Sequence, residues 1–304
     1  MSNMNLDSRP RPSSLLDSRA RLEHSVSKKG KIIIGCLVLV LAGCNLPQVD
    51  ALPTQATPLA PATATTELPI PVTTAMTESP VLIGAQEAIM ILAPGPGSLV
   101  VSPMHLAGMA DPAHEQTMVV RGLRPDGSEL IVPQPINIAA PLGERGPFEI
   151  EIPFSVSQDE QVFIQIYAQS ARDGGNTHLE SVGVILSASD PASITPWSSY
   201  PEQIVIMAPT SGQIMFGGVA HIEGAGIASF EGTFVLDVLD SNGAIVGSQP
   251  VIVSSPDLGL PGTFSANVTY SVVGSGPGRI VVRDPSPAFG GDVHLASIEV
   301  QLDP

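Results

Sequence analysis

Four histidines and the carboxylates near them are the residues of this chain whose types and spacing could do chemistry. His105 with His178, and His221 with His294, recur in the same order, and each pair is separated by 73 residues. Two imidazoles joined by a carboxylate, Asp173 in the first set or Asp292 in the second, would begin a metal centre. Zinc needs three or four convergent ligands, however, and spacing alone shows only that contact is open. The plainer expectation is a strand-end histidine copied along with a duplicated unit. No metal and no cofactor are assigned.

Other chemistries find less support. Val273-Gly274-Ser275-Gly276 has glycines on both sides of a serine but no following helix, so it reads as a turn and not a nucleophile elbow. Glu149 and Glu151 stand two apart on one strand, which puts both on the same solvated face. Gly95-Pro96-Gly97 lacks the lysine and helix of a phosphate loop. Asp284 and Asp292 have no spacing of a calcium loop. The chain is expected not to be an enzyme.

The elements that carry these residues come in two copies. Ile91-Leu92-Ala93-Pro94 returns as Ile206-Met207-Ala208-Pro209, at an offset of 115. At an offset of 116, His105-Leu106-Ala107-Gly108 returns as His221-Ile222-Glu223-Gly224, and Gly146-Pro147-Phe148 as Gly262-Thr263-Phe264. His178-Leu179-Glu180-Ser181 likewise returns as His294-Leu295-Ala296-Ser297. Phe148, Ile150, Ile152 and Phe154 alternate with Glu149, Glu151 and Pro153, and Phe264, Ala266, Val268 and Tyr270 alternate with polar residues in the second copy. A period of two places one face on a core and the other in water. Arg124-Pro125-Asp126-Gly127 and Asp240-Ser241-Asn242-Gly243 mark hairpin turns. The fold class predicted is all-β: two tandem immunoglobulin-like β-sandwiches of about seven strands each. They span residues 88–189 and 203–304, with a linker at 190–202 that contains Trp197.

The residues before position 88 have a different composition. Lys28, Lys29 and Lys31 precede an apolar run from Ile32 to Ala42, shorter than the roughly 20 residues of a membrane-spanning helix. This is the form of a secretory signal peptide. Leu41-Ala42-Gly43-Cys44 resembles the lipobox of bacterial lipoproteins. The resemblance implies that residues 1–43, an N-terminal tail and signal, are removed and that Cys44 carries the lipid (palmitate among its acyl chains). Residues 44–87 are rich in proline and threonine and read as an extended, disordered stalk. The expected location is extracytoplasmic, tethered to a bacterial membrane at the cell surface.

Charge narrows the partners. The 304 residues hold 13 Lys and Arg against 29 Asp and Glu. Seven of the basic residues fall in 1–43, so six basic and 26 acidic residues follow, a net charge near −20. Such a surface repels nucleic acid phosphates and anionic head groups. Apart from the membrane held through the lipid, the partner is expected to be an envelope protein or a glycan. The only cysteines are Cys36 and Cys44, so neither copy has a disulfide.

The second copy resembles the immunoglobulin-like domain associated with bacterial spore germination, the Gmad2 family. The residues that carry this are Ile206-Met207-Ala208-Pro209-Thr210-Ser211-Gly212, Ile222-Glu223-Gly224-Ala225-Gly226 and Phe230-Glu231-Gly232-Thr233. Gly262-Thr263-Phe264 and the turn from Arg283-Asp284-Pro285-Ser286-Pro287 to Gly290-Gly291 complete the set. The first copy follows the same plan more loosely. The resemblance implies an extracytoplasmic fold without catalytic residues. The expected function is that of a lipoprotein whose modules bind or scaffold an envelope component, linked to sporulation or germination through the family. Loops with Phe230, Glu231, Pro285 and Phe289 are the candidate contact surface. The alternative is a metal-dependent hydrolase of wall polymers or peptides, centred on the His178 and His294 loops.

Overall fold

The computed structural model describes residues 86–189, 191–197 and 201–304. The expected signal peptide, the expected lipid site at Cys44 and most of the expected stalk fall outside the described residues. Both copies are β-sandwiches, and both are built from eight strands in the same order. The first comprises β1 (Ile89–Ala93), β2 (Leu99–Val100), β3 (Met104–Ala110), β4 (Thr117–Leu123), β5 (Glu129–Asn137), β6 (Gly146–Ile152), β7 (Glu160–Gln169) and β8 (Asn176–Leu186). The second comprises β9 (Ile204–Ala208), β10 (Ile214–Met215), β11 (Val219–Gly226), β12 (Thr233–Leu239), β13 (Ile245–Ile252), β14 (Gly262–Thr269), β15 (Gly276–Pro285) and β16 (Asp292–Leu302). The additional strand in each copy is β2 or β10, two residues long and paired in parallel with the end of β8 or β16. A strand so short leaves no alternation to read.

In each sandwich a three-stranded sheet, β1-β3-β6 or β9-β11-β14, faces a larger one. The alternation expected for β6 and β14 holds: Phe148 and Ile152, and Phe264 and Val268, point into their cores. Burial of each such side chain stabilises by about 1.5–3 kcal/mol. The repeated glycine of the His-x-x-Gly motif has a packing reason. Gly108 lies opposite Phe148, and a Cβ there would stand 2.4 Å from the ring. Gly224 meets Phe264 in the same way, again at 2.4 Å. The phenyl ring covers the bare backbone, and any side chain would displace it. Both hairpin turns close as expected, with Gly127 at φ 81° and Gly243 at φ 78°.

The linker does not hang free of the first module over its described part. Ser193 exchanges backbone hydrogen bonds with Leu99, Gly95 N–H donates to Thr195, and Trp197 packs on the first core.

The two larger sheets are one. Strand β8 pairs antiparallel with β16, giving one ten-stranded sheet in which eight strands follow the path β13-β12-β15-β16-β8-β7-β4-β5 and β2 and β10 pair off it with β8 and β16. Edge strands offer unpaired backbone groups, and here the two copies satisfy each other's edge. The register sets Leu179 against Leu295, which are equivalent positions in the repeat. A pair that is its own image marks a local two-fold axis through the seam.

Candidate functional site

Alternation along β8 and β16 gives the seam two unlike faces. Leu179 and Leu295 point to one side and, with Tyr167 and Val281, form a small apolar core of their own. His178, Glu180 and His294 point to the other. Their partners across the ladder are Ala296 for His178 and His294 for Glu180, two pairs related by the axis. The segments entering β1 and β9 lie against this polar face and form a bridge from Gln86 to Pro201. They contribute Glu87 and Glu202, again equivalent positions.

The result is a buried cluster of two imidazoles and three carboxylates. His178 Nε2 is 2.8 Å from Glu87 Oε1 and 3.7 Å from Glu202 Oε1. His294 Nε2 is 3.1 Å from Glu202 Oε1 and 3.7 Å from Glu87 Oε1. The other imidazole nitrogen of His294, Nδ1, lies 2.5 Å from Glu180 Oε2. The second oxygen of each glutamate is held by the opposite module: Ala88 N–H donates to Glu202 Oε2 at 3.0 Å, and Gln203 N–H to Glu87 Oε2 at 3.1 Å. The two imidazole rings meet edge to face, 5.1 Å between centroids. Glu87 and His294 are wholly buried, Glu180 and Glu202 nearly so.

Burial dominates the Glu180 carboxyl and pushes it up to about 7, against the pull of His294. Burial also opposes charge on His294, but Glu87, Glu180 and Glu202 outweigh it and hold the imidazole well above its ordinary value. Glu202 is held below the usual carboxylate range, burial being overcome by the His294 hydrogen bond, the two imidazoles and the Ala88 N–H. The cluster is a buried network of hydrogen bonds and ion pairs that joins the two modules.

The histidine pairs weighed above as the start of a metal centre within each copy do not form. His105 bonds to Glu151, and His221 to Asn267 and Glu223, all at the solvated surface. Asp173 instead pairs with the buried Arg279 of the other module, at 2.7 and 2.9 Å, and Asp292 lies by Arg283. Of the expected contact loops, Phe230 is 45 % exposed and Glu231 is exposed, with a left-handed φ of 50°. Pro285 is half-buried. Phe289 is not a free contact residue: it is 5 % exposed, its ring 4.5 Å from Phe163 of the first module. The ring is covered at the seam, while Pro287, Ala288 and Gly290 of the same turn are exposed. The residues missed from sequence are Glu87 and Glu202. Their recurrence at the same offset as the Ala-Pro motifs was the available signal.

A duplicated immunoglobulin-like sandwich with strand-edge pairing defines the class. The chain belongs to the Gmad2 family, the immunoglobulin-like domain of bacterial spore germination, whose profile matches residues 88–175 and 203–291. No curated protein matches it significantly. Among solved structures it is similar to dimeric latent PorU from Porphyromonas gingivalis, at 10 % identity and a TM-score of 0.22, over 71 % of this chain and 24 % of that one. It is also similar to a mutant of the CFA/I enterotoxigenic E. coli adhesin CfaE, at 9 % identity and a TM-score of 0.17, over 72 % of this chain and 84 % of that one.

Proposed function

We propose that this chain is an extracytoplasmic lipoprotein, anchored through Cys44 to a bacterial membrane, whose two modules bind or scaffold a protein or glycan of the cell envelope. Membership in a family named for spore germination supports a germination-related extracellular module. The observation that carries the binding reading is what the two modules leave outward. Each of the six arginines after position 43 is engaged in an ion pair with an acidic residue of the chain itself. The remaining surface charge is acidic, which favours neutral or basic partners. Both modules also present a leucine on the turn between their fifth and sixth strands, Leu142 at 79 % and Leu258 at 73 % exposure. Each is followed by a glycine at positive φ, Gly143 and Gly259. Two equivalent tips on one body can engage a repetitive or clustered target together, raising apparent affinity through effective concentration.

The alternative, a metal-dependent hydrolase, is less well supported by this geometry. A catalytic ion keeps a coordination position open for water or substrate. His178 and His294 are turned into the seam among carboxylates.

The test is capture from fractionated envelope by the chain carrying Cys44→Ser, with protein and glycan fractions kept apart. Retention of one defined component, lost on Leu142→Asp with Leu258→Asp or on Phe230→Asp, is the expected result. No retention from any fraction by a folded chain would leave the modules as spacers.

A further inference from the structure

We infer that the seam between the modules is a binding site for one divalent transition-metal ion, zinc by the chemistry of its donors, held by His178 Nε2, His294 Nε2, Glu87 Oε1 and Glu202 Oε1. Each module supplies one imidazole and one carboxylate. The ion would clamp the modules and would do so whatever their outer surface binds.

Geometry is the first support. The four donor atoms all lie within 4.8 Å of one another. In a tetrahedron with metal–ligand bonds of about 2.0–2.1 Å, each edge is about 3.3 Å. The four nitrogen–oxygen edges here are 2.8, 3.1, 3.7 and 3.7 Å, on both sides of that value. Imidazole and carboxylate donors alternate around the centre, so each nitrogen faces two oxygens. An unspecific surface cluster of acids has no reason to be so arranged.

The surroundings of the four donors are the second support. Metal-bound histidine normally donates its other N–H to a carboxylate or carbonyl, which fixes the ring and its tautomer. Glu180 Oε2 sits at His294 Nδ1 and so directs Nε2 toward the other donors. Each glutamate has one oxygen pinned by a backbone N–H of the opposite module, leaving the other oxygen for single-point coordination. Glu180 Oε1 is out of solvent and has no hydrogen-bond partner among the described residues, so this buried pocket holds an acceptor that its protein groups leave unsatisfied.

Charge and donor type decide the ion. Three carboxylates face two imidazoles, and a divalent cation with neutral imidazoles neutralises the two glutamate ligands in one step. Two nitrogen donors argue against calcium and magnesium, which take oxygen sets, and a compact four-coordinate nitrogen–oxygen set suits zinc. Four protein ligands in a buried site describe a structural ion and not a catalytic one.

The experiment uses the full chain with Cys36→Ser and Cys44→Ser, so that no thiol competes, after chelation and dialysis. Calorimetric titration with zinc chloride is expected to show one ion per chain, with a dissociation constant below about 0.1 µM. Cobalt(II) should give the intense visible absorption of a tetrahedral site. Zinc at hundredfold excess over that constant should raise Tm by about 5–10 °C. His178→Ala and the isosteric Glu202→Gln should each weaken binding by about 100-fold, while His105→Ala with His221→Ala leaves it unchanged. Glu202→Gln preserves shape, so it remains informative if His178→Ala does not fold. Absence of one-to-one uptake at micromolar zinc, or uptake unaffected by Glu202→Gln, would overturn the assignment.

Discussion

Two contacts at the seam occupy equivalent places and are chemically unlike. Phe163 and Phe289 stack on one side of the local two-fold axis. Their images in the repeat are Arg279 and Asp173, which form a charged pair with both side chains fully buried. The surrounding backbone is shared: the turn glycine Gly127 abuts Phe289, and its image Gly243 abuts Asp173. One slot is therefore filled by dispersion and apolar burial, the other by a desolvated ion pair. An aromatic pair adds about 0.5–1.5 kcal/mol beyond its buried area. A buried ion pair gains little over an apolar pair of equal volume, yet is severely damaged when one partner is lost. The difference teaches that the seam is no longer symmetric in chemistry although it is in geometry.

That contrast can be broken from either side. Asp173→Ala strands the Arg279 guanidinium and should lower stability by about 3–5 kcal/mol in urea unfolding. Phe289→Ala should lower it by about 3 kcal/mol, through lost burial and a cavity against Phe163. Replacing the ion pair together, by Asp173→Leu with Arg279→Met, should change stability at neutral pH by no more than about 1 kcal/mol, or raise it slightly. The double variant also sharpens the comparison in acid. Burial opposes charge on Asp173, but hydrogen bonds from Arg279 and Gly175 N–H, with the Arg279 charge, hold its carboxyl down at about 2, against an ordinary 3.8. A depressed carboxylate stabilises the folded state fully above its unfolded value and loses that contribution as pH falls through its folded one. Wild type should therefore lose more stability than the double variant between pH 4 and pH 2, measured by urea midpoints at each pH. Equal losses would remove Asp173 from the acid response.

Much of the fold could be read from the residues themselves. The alternation through Phe148 to Phe154 and Phe264 to Tyr270, the Asp-Gly and Asn-Gly turns, and the glycines beneath phenylalanines each express a local rule of strands. The seam could not be read in this way. A repeat says which residues are equivalent, not which residues touch, and equivalents meet only beside a two-fold axis. The duplicated motif offers a pairing of His105 with His178 inside one copy only as the alternative to a copied strand-end histidine, and it offers no pairing between copies. The strand edges instead join His178 to His294, which share a position in the repeat. Phe289 was misplaced for the same reason: a phenylalanine in a glycine-rich turn looks exposed until a second module covers it.

The self-matching of Leu179 with Leu295 has a consequence for assembly. The contact is isologous, each copy offering the same edge, so it is saturated once two copies have met. A head-to-tail contact would have left one edge hungry and invited a third module, then a fibre. The outer edges of the joined sheet are β5 and β13, and they carry Pro133, Pro135 and Pro250, residues that have no N–H to offer a neighbouring strand. The tandem is thus a closed pair at this seam, and the prolines on the two outer edges of the joined sheet oppose addition of a further strand there.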